Sequence, residues 1–222
     1  MAKHYFVTST GTGIGKTYVT AALIRQARAR QWTVAATKPV ISGFDKQEIA
    51  ASDSGVLLAA LGREPTQENA EKISPWRFAA PLAPNMAARA EGRVLDCAAL
   101  FAFSRAALEE KADLILIEGV GGIMVPLDDE NTVLDWIAAL EAPVLLAVGD
   151  YLGTISHTLT ALAVLRARSA DVAAIVVNEG EGASVAFDDT LAEIAKWVAP
   201  VPVFSLRRGD EGAALARLLD LS

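Results

Sequence analysis

The stretch STGTGIGKT, residues 9–17, decides the fold of this chain. It follows a short apolar run at residues 5–7 and precedes a helical pattern, so it predicts a strand, a glycine-rich turn and a helix in succession. The glycines let the backbone turn tightly and point its N–H groups at an anion, Lys16 adds a positive charge, and the Thr17 hydroxyl suits a phosphate-bound magnesium ion. Thr10 stands where the strict P-loop pattern has glycine. The stretch therefore predicts a variant P-loop that binds nucleotide phosphates.

Polar residues end three other apolar runs. Glu118 closes one of them before a glycine-rich turn, and a carboxylate there is costly unless it has a partner, which magnesium on a nucleotide phosphate would supply. Lys38 and Asn178 end two further runs, and the carboxyl ends of parallel strands meet at one sheet edge, where ligands bind. Lys38 could act on a ligand at this edge, but a lysine there is often merely solvated. Asn178 could bind the edge of a base through its amide group, but asparagine is also common in turns. For both residues the functional and the structural interpretation remain open. The predicted strands are residues 33–37, 113–117 and 172–177.

Other segments give weaker patterns. Asp53 lies in the first turn of a helix predicted at residues 49–61, where the helix dipole favours a carboxylate in any case. Residues 63–93 contain four prolines and have weak periodicity, and they predict an ordered, substrate-facing excursion with one short helix at residues 86–90. Near the end of the chain, the pattern predicts a strand at residues 201–204 and a helix at residues 212–221.

The composition predicts one α/β domain spanning residues 1–222. Of the 222 residues, 52% are hydrophobic, and Ala-rich helical patterns alternate with short Val/Ile/Leu runs. We expect a single-domain P-loop fold with a mostly parallel sheet flanked by helices on both faces. The net charge of −7, without a compensating basic block, argues against a nucleic-acid partner. The absence of a signal-like or membrane-spanning apolar run and the single cysteine predict a cytoplasmic enzyme or ATPase without a membrane partner.

Four blocks occur in an order and spacing that resemble the dethiobiotin synthetase family. They are the variant P-loop, KPVISG at residues 38–43, EGVGG at residues 118–122 and LGTISH at residues 152–157, and the resemblance covers roughly residues 4–180. It implies an ATP- and Mg²⁺-dependent ligase that joins CO2 or bicarbonate to 7,8-diaminononanoate and closes the ureido ring of dethiobiotin in biotin biosynthesis. A carbamate and a carbamic-phosphoric anhydride are the implied intermediates, with ADP and phosphate released. The family also implies a homodimer whose partner supplies the LGTISH segment.

The resemblance assigns roles by position. Lys16 and Lys38 become catalytic residues that neutralise charge between carbamate and phosphate. The implied Mg²⁺ ligands are Thr17, Asp53 and Glu118. The implied ATP contacts are Gly13, Ile14, Gly15, Lys16, Thr17, Tyr18, Asp53, Glu118, Gly119, Val120, Gly121, Asn178 and Glu179, with Asn178 at the adenine. The implied substrate contacts are Thr12, Ser42, Gly153, Ser156 and His157.

The chain departs from the family pattern at several positions. Ser9 replaces the glycine that usually opens the loop, Ser156 replaces an asparagine, and Glu179 replaces a common aspartate. At residues 205–207 the sequence Ser-Leu-Arg stands where an Ile-Pro pair beside the adenine is frequent, so base selectivity does not follow from the resemblance. A relative that acts on a different diamine also stays open.

Two alternative classes share the loop. A relative of cobyrinic acid diamide synthase would normally carry an additional glutaminase domain, for which 222 residues leave no room. A partition or septum-positioning ATPase would be a nucleotide switch rather than a synthetic enzyme. Its deviant loop has a lysine at the position that Gly11 occupies here, which argues against the switch.

Overall fold

A parallel six-stranded sheet forms the centre of the computed structural model, which describes residues 2–181 and 185–221. The strands are β1 (Lys3–Ser9), β2 (Val34–Thr37), β3 (Val40–Ser42), β4 (Trp76–Phe78), β5 (Leu114–Glu118), β6 (Val144–Gly149), β7 (Val172–Asn178) and β8 (Val203–Leu206). The central sheet has the order β2-β5-β1-β6-β7-β8, and β3 pairs with β4 in a separate two-stranded parallel sheet. The predicted α/β class and parallel sheet are confirmed.

Helices cover both faces of the central sheet, as predicted. The α-helices are α1 (Lys16–Ala29), α2 (Asp53–Ala60), α3 (Gln67–Ile73), α4 (Pro84–Ala90), α5 (Cys97–Leu108), α6 (Val133–Leu140), α7 (Thr154–Ala167) and α8 (Phe187–Val198). Residues alternate between two cores because successive strand side chains point to opposite faces: Phe6 packs with α4 to α8, whereas Tyr5 and Val7 pack with α1 to α3 and the C-terminal 3-10 helix, Ala213–Asp220. None of the helices in the described residues is long and apolar enough to cross a membrane.

The strand register brings the predicted site residues to one edge. β1 lies between β5 and β6, and Val7 of β1 is aligned with Glu118 at the end of β5. β2 pairs with the other side of β5, so Lys38, which follows β2, emerges at the same edge. Asn178 closes β7 at this edge as well, next to Gly149 of β6. A parallel sheet binds ligands at the carboxyl ends of its strands, which is where the chain places its P-loop.

The predicted helix at residues 49–61 is wrong in one respect, because the chain turns a corner at Ser52. A 3-10 turn, Ile49–Ala51, precedes Ser52, whose extended backbone (φ −72°, ψ 162°) starts a new helix at Asp53. The Ser52 hydroxyl accepts a hydrogen bond from the Gly55 N–H at 3.2 Å and so caps α2. A Cβ on Gly55 would lie 2.1 Å from the Ile49 carbonyl oxygen, so the corner requires glycine. The apolar pattern continued across the corner and concealed it.

The prediction for residues 63–93 missed two elements. The helix expected at residues 86–90 is present as α4, but α3 and β4 also form. α3 is short and polar, with Thr66 as its N-cap, and therefore gives little apolar periodicity. β4 pairs only with β3, a contact that local sequence does not reveal. At the other end of the chain, the predicted strand is shifted to β8 and the predicted final helix is a 3-10 helix.

Candidate active site

The glycine-rich turn places free backbone N–H groups at the start of α1. Gly13 and Gly15 have φ values of 74° and 92°, a left-handed conformation that favours glycine. A Cβ on Gly15 would lie 2.0 Å from Nδ2 of Asn178, so glycine is also required by the close approach of that side chain. The first turn of α1 has neither a side-chain cap nor an acidic residue. Its N–H groups and the positive end of the helix dipole therefore suit a phosphate group.

Lys16 is held beside the turn by neutral oxygen atoms. Its Nζ donates to the Ser9 hydroxyl at 3.0 Å and to the Gly121 carbonyl at 2.8 Å. Burial, together with the nearby charge of Lys38, lowers the pKa of Lys16 to about 8, against the opposing attraction of Glu118 and Asp53. The contact with Ser9 was not predicted. The replacement of the family glycine by a serine was the one sequence signal that pointed to it.

A compact ionic cluster lies directly below the P-loop. The Thr17 hydroxyl lies 2.9 Å from Oδ1 of Asp53 and 2.6 Å from Oε1 of Glu118. The Lys38 Nζ lies 2.8 Å from Oε1 of Glu118, 3.3 Å from Oδ2 of Asp53 and 2.7 Å from the Gly119 carbonyl oxygen. The structure thus brings together four predicted residues from four separate segments of the chain.

Opposite charges stabilise the ionised forms in this cluster. Burial disfavours the charge on Lys38, but the attraction of Glu118 and Asp53 outweighs it and raises the Lys38 pKa above its usual value. Burial likewise disfavours ionisation of Asp53, yet Lys38 and the Thr17 hydroxyl hold the Asp53 pKa below its usual value. Glu118 is fully buried, and its Oε2 has no hydrogen-bond partner among the residues that the structure describes.

The donor set of the cluster suits magnesium. Two carboxylates and a hydroxyl are hard oxygen ligands, and Mg²⁺ uses few protein ligands because it retains several waters. The unpartnered Oε2 of Glu118 is a buried acceptor that a cation would satisfy. No group of three or more His, Cys, Asp or Glu side chains that could hold a metal occurs within residues 2–181 and 185–221. The site has only two such side chains, Asp53 and Glu118, and its third protein oxygen is the Thr17 hydroxyl.

A cleft of about 730 Å³ opens above the cluster. Thr12 and Ser42, the two substrate contacts predicted near the reacting amines, both line it, and so does Lys38. Apolar side chains from the segment before α4, among them Pro81 and Leu82, form part of its wall. The other predicted residues that line it are Gly13, Gly15, Lys16, Thr17, Tyr18, Asp53, Val120 and Gly121. The cleft therefore joins the phosphate loop to a partly apolar compartment.

Asn178 contacts the P-loop from the end of β7. Its Nδ2 donates to the Ile14 carbonyl oxygen at 3.0 Å, and its buried Oδ1 has no hydrogen-bond partner within residues 2–181 and 185–221. Glu179 points to the segment after β8, where it accepts a hydrogen bond from the Arg208 N–H at 2.9 Å. Asn178 thus retains a free acceptor beside the loop, whereas one carboxylate oxygen of Glu179 is already engaged.

The predicted substrate segment at the start of α7 lies apart from this cleft. Gly153, with φ 99°, precedes the helix, and the cleft lining does not include Gly153, Ser156 or His157. Ser156 and His157 are exposed, and Nδ1 of His157 lies 2.8 Å from the Tyr151 hydroxyl. Leu152 is 84% exposed immediately before the turn. The segment presents an open helix N-terminus to the outside of the chain.

Comparisons with known proteins agree with this arrangement. Residues 3–205 match the family model of an AAA domain. The chain is 49% identical over 219 residues to the ATP-dependent dethiobiotin synthetase of Caulobacter sp. (strain K31), covering 96% of this chain and 93% of that protein. It is 33% identical over 227 residues to the ATP-dependent dethiobiotin synthetase 1 of Escherichia coli (strain K12), covering 100% of this chain and 99% of that protein.

Solved structures of low identity share the fold. The septum site-determining protein MinD of Pyrococcus horikoshii, complexed with Mg-ADP, superposes with a TM-score of 0.56 at 16% identity, covering 99% of this chain and 95% of MinD. Cobyrinic acid a,c-diamide synthase of Mycobacterium smegmatis, with bound ADP and magnesium, superposes with a TM-score of 0.52 at 15% identity, covering 99% of this chain and 93% of the synthase. At these identities the likeness concerns the fold alone.

Proposed function

This chain belongs to the family of ATP-dependent dethiobiotin synthetases, and we propose that it closes the ureido ring of dethiobiotin from 7,8-diaminononanoate, CO2 and ATP. It is an ATP-dependent ligase of biotin biosynthesis. The observation that carries the proposal for this site is the convergence of Lys16, Lys38 and the carboxylate cluster beneath a free helix N-terminus. Those are the groups that phosphorylation of a carbamate needs.

The P-loop residues bind the nucleotide. The N–H groups at the start of α1 hold the phosphates, and the ammonium of Lys16 moves from neutral oxygen atoms to the transferred phosphate. The free Oδ1 of Asn178 accepts a hydrogen bond from the exocyclic amine of adenine. Ser205 and Leu206 lie in β8 and Arg207 follows it, so these residues would line the same side of the base.

Thr17, Asp53 and Glu118 would hold Mg²⁺. When bound there, the ion supplies positive charge to the phosphate oxygens during transfer. The Asp53 carboxylate is partly exposed to the cleft, whereas Glu118 is fully buried. A ligand would therefore enter the cluster from the side of Asp53. In this proposal the carboxylates would hold the metal on one side of the phosphates, and the N-terminus of α1 binds the phosphates on the other side.

The chain's lysines then act on charge that develops between carbamate and phosphate. An amine of the substrate attacks CO2, loses a proton and becomes a carbamate. A carbamate oxygen attacks the γ-phosphorus and ADP leaves. The second amine attacks the carbonyl carbon of the anhydride, phosphate leaves with the bonding electrons and accepts the proton that the amine loses, and the ring is closed. Lys38 neutralises the carbamate, Lys16 the phosphate, and Thr12 and Ser42 orient the amines from the cleft wall.

Product analysis tests the proposed reaction. The protein is incubated with 7,8-diaminononanoate, ¹³C-bicarbonate and ATP, and the products are examined by mass spectrometry. We expect dethiobiotin that carries one ¹³C atom, with ADP and phosphate formed in equal amounts. An unchanged diamine beside hydrolysed ATP would contradict the proposal and favour an ATPase.

The metal assignment predicts a change in the Mg²⁺ requirement. Asp53→Asn and Glu118→Gln should each raise the Mg²⁺ concentration for half-maximal turnover by about tenfold or more, since a carboxylate ligand becomes a neutral amide. The measurement is an Mg²⁺ titration at saturating ATP. Asp129→Asn and Glu68→Gln are matched controls, because both carboxylates are exposed and pair with surface cations. Unchanged titrations in both site variants would remove these residues from the metal site.

A homodimer completes the substrate site in this proposal. Within one chain, the cleft lining omits the start of α7, yet the far carboxylate of the diamine requires a positively polarised group. The exposed N-terminus of α7, with Gly153, Ser156 and His157, supplies such a group from a partner subunit, and a twofold axis builds two equal sites. The shorter Ser156 in place of asparagine removes one donor from that site.

A charge placed at Ser156 tests the shared site. Ser156→Asp should raise the KM for the diamine by about tenfold, because like charges in contact repel, while the KM for ATP stays unchanged. Thr160→Asp is the matched control, since Thr160 is also exposed and lies one turn farther along α7. Light scattering gives the oligomeric state at the assay concentration. A monomer with undiminished diamine affinity would contradict the shared site.

A further inference from the structure

We propose that Lys38 is the counter-cation of Asp53 and Glu118 in the nucleotide-free protein, and that it excludes a divalent metal until the metal arrives with the nucleotide. Displacement from the carboxylates then frees the ammonium for the substrate compartment. The proposal rests on the proposed function for the metal ligands and adds an order of events at that site. It concerns the chain's own residues, which can be studied without turnover.

Three oxygen atoms surround the Lys38 ammonium, which has three N–H groups. Its Nζ donates to Oε1 of Glu118 at 2.8 Å and to the Gly119 carbonyl oxygen at 2.7 Å, and it forms an ion pair with Oδ2 of Asp53 at 3.3 Å. In this position Lys38 lines the cleft with its charge already paired with two carboxylates. Lys38 must therefore leave at least one carboxylate before it can neutralise a carbamate.

The carboxylates that pair with Lys38 are the same two that are proposed to hold the metal. Oε1 of Glu118 already receives both Lys38 and the Thr17 hydroxyl. That hydroxyl also lies 2.9 Å from Oδ1 of Asp53, so the hydroxyl and the ammonium together occupy the space between the two carboxylates. An ammonium and a divalent ion at this place would also repel each other strongly in a buried environment. The two cations thus compete for one position.

Burial explains why a cation has to be present before the metal. Glu118 is fully buried and Lys38 is 2% exposed, and an uncompensated buried carboxylate is strongly destabilising. Lys38 removes that cost when no ligand is bound. The long flexible stem of lysine then allows the ammonium to move while its backbone stays at the end of β2. By linkage, a metal that displaces Lys38 must bind more tightly when the lysine charge is absent.

Manganese binding in the absence of nucleotide tests the competition. Mn²⁺ is a paramagnetic probe that accepts the same oxygen ligands as Mg²⁺. We expect Lys38→Met to bind one Mn²⁺ about tenfold more tightly than the unmodified protein, within the range of ordinary coupling energies. Lys38→Arg, which keeps the charge, and Lys72→Met, which removes an exposed lysine paired with Glu68, should match the unmodified protein. Equal Mn²⁺ affinity of Lys38→Met and the unmodified protein would overturn the proposal, as would tight binding by Lys38→Arg.

A second measurement does not depend on the folding of Lys38→Met. ¹⁵N NMR of the lysine side chains should show a slowly exchanging Nζ signal that is absent from Lys38→Arg. Addition of Mg²⁺ alone should leave this signal in place, whereas Mg²⁺ with a nonhydrolysable ATP analogue should shift it and speed its exchange. An Nζ signal that Mg²⁺ alone displaces, or that persists unchanged in the ternary complex, would overturn the proposal.

The outcomes separate this inference from the proposed function. If the unmodified protein forms ¹³C-dethiobiotin but Lys38 does not compete with Mn²⁺, only the counter-cation role fails. If no dethiobiotin forms, the proposed function fails whatever the Mn²⁺ titration gives. Glu118→Gln in the Lys38→Met background should abolish the gain in Mn²⁺ affinity, and a retained gain would show that the metal binds elsewhere and would overturn the proposal.

Discussion

Replacing Lys16 by methionine is expected to lower turnover by on the order of 10³-fold or more, because the variant has no cation beside the transferred phosphate. Loss of a single preorganised donor in a water-excluded site already costs about 10²- to 10³-fold, and here a full charge is lost. The lysine lies at the start of α1, where it lines the cleft with the phosphate-binding turn. Phosphate release and dethiobiotin formation are the two measurements, and both should fall together.

The Lys16 variant should remain folded. Lys16 is bonded to neutral oxygen atoms, and the Ser9 hydroxyl already lies 3.1 Å from the Gly121 carbonyl oxygen, so those two groups can bond each other when the ammonium is gone. Since burial disfavours the lysine charge, we expect the free energy of unfolding to stay the same or rise. Lys46→Met removes an exposed lysine and serves as the control. Turnover of Lys16→Met near that of the control would refute the phosphate role.

The parts of the molecule that the sequence predicts well are those in which chemistry and local pattern coincide. The P-loop, β1 and α1 follow from nine consecutive residues, because the glycines, Lys16 and Thr17 serve both the turn and the ligand. Glu118 is recognisable because a carboxylate at the end of an apolar strand needs a partner. The parallel sheet then brings Lys38 to the same edge, which a general rule about strand ends anticipates.

Contacts between distant segments are what the sequence does not provide. Lys38 and Glu118 are 80 positions apart, and no local pattern says that their side chains meet at 2.8 Å. The hydrogen bond between Lys16 and Ser9 depends on how the turn folds over β1. The corner at Ser52 forms because the Ser52 hydroxyl caps a new helix, where the apolar pattern alone would allow one continuous helix. β3 and β4 pair outside the main sheet, so their existence depends on tertiary structure.

Replacing Lys38 by methionine is expected to separate binding from chemistry. Turnover should fall by about 10²- to 10³-fold, since the carbamate loses its cation. The affinity for Mg-ATP should be retained or rise, because the P-loop and the metal ligands are intact and no ammonium has to be displaced from the carboxylates. Single-turnover kinetics and calorimetric titration with Mg-ATP measure the two effects. Lys38→Arg restores the charge but not the geometry and should recover part of the stability and little of the turnover.

Stability is the property in which the two lysine variants should differ most. Lys38→Met leaves the buried Glu118 without its cation, and breaking a buried pair in this way typically costs about 3–5 kcal/mol of unfolding free energy. Lys16→Met leaves no buried carboxylate without its cation, because Lys16 is bonded to neutral oxygen atoms. Its free energy of unfolding should therefore equal or exceed that of the unmodified protein. Denaturant unfolding at pH 7 compares them directly. If both variants lost stability equally and Mg-ATP affinity equally, Lys38 would be a second phosphate ligand, and its assignment to the carbamate would be wrong.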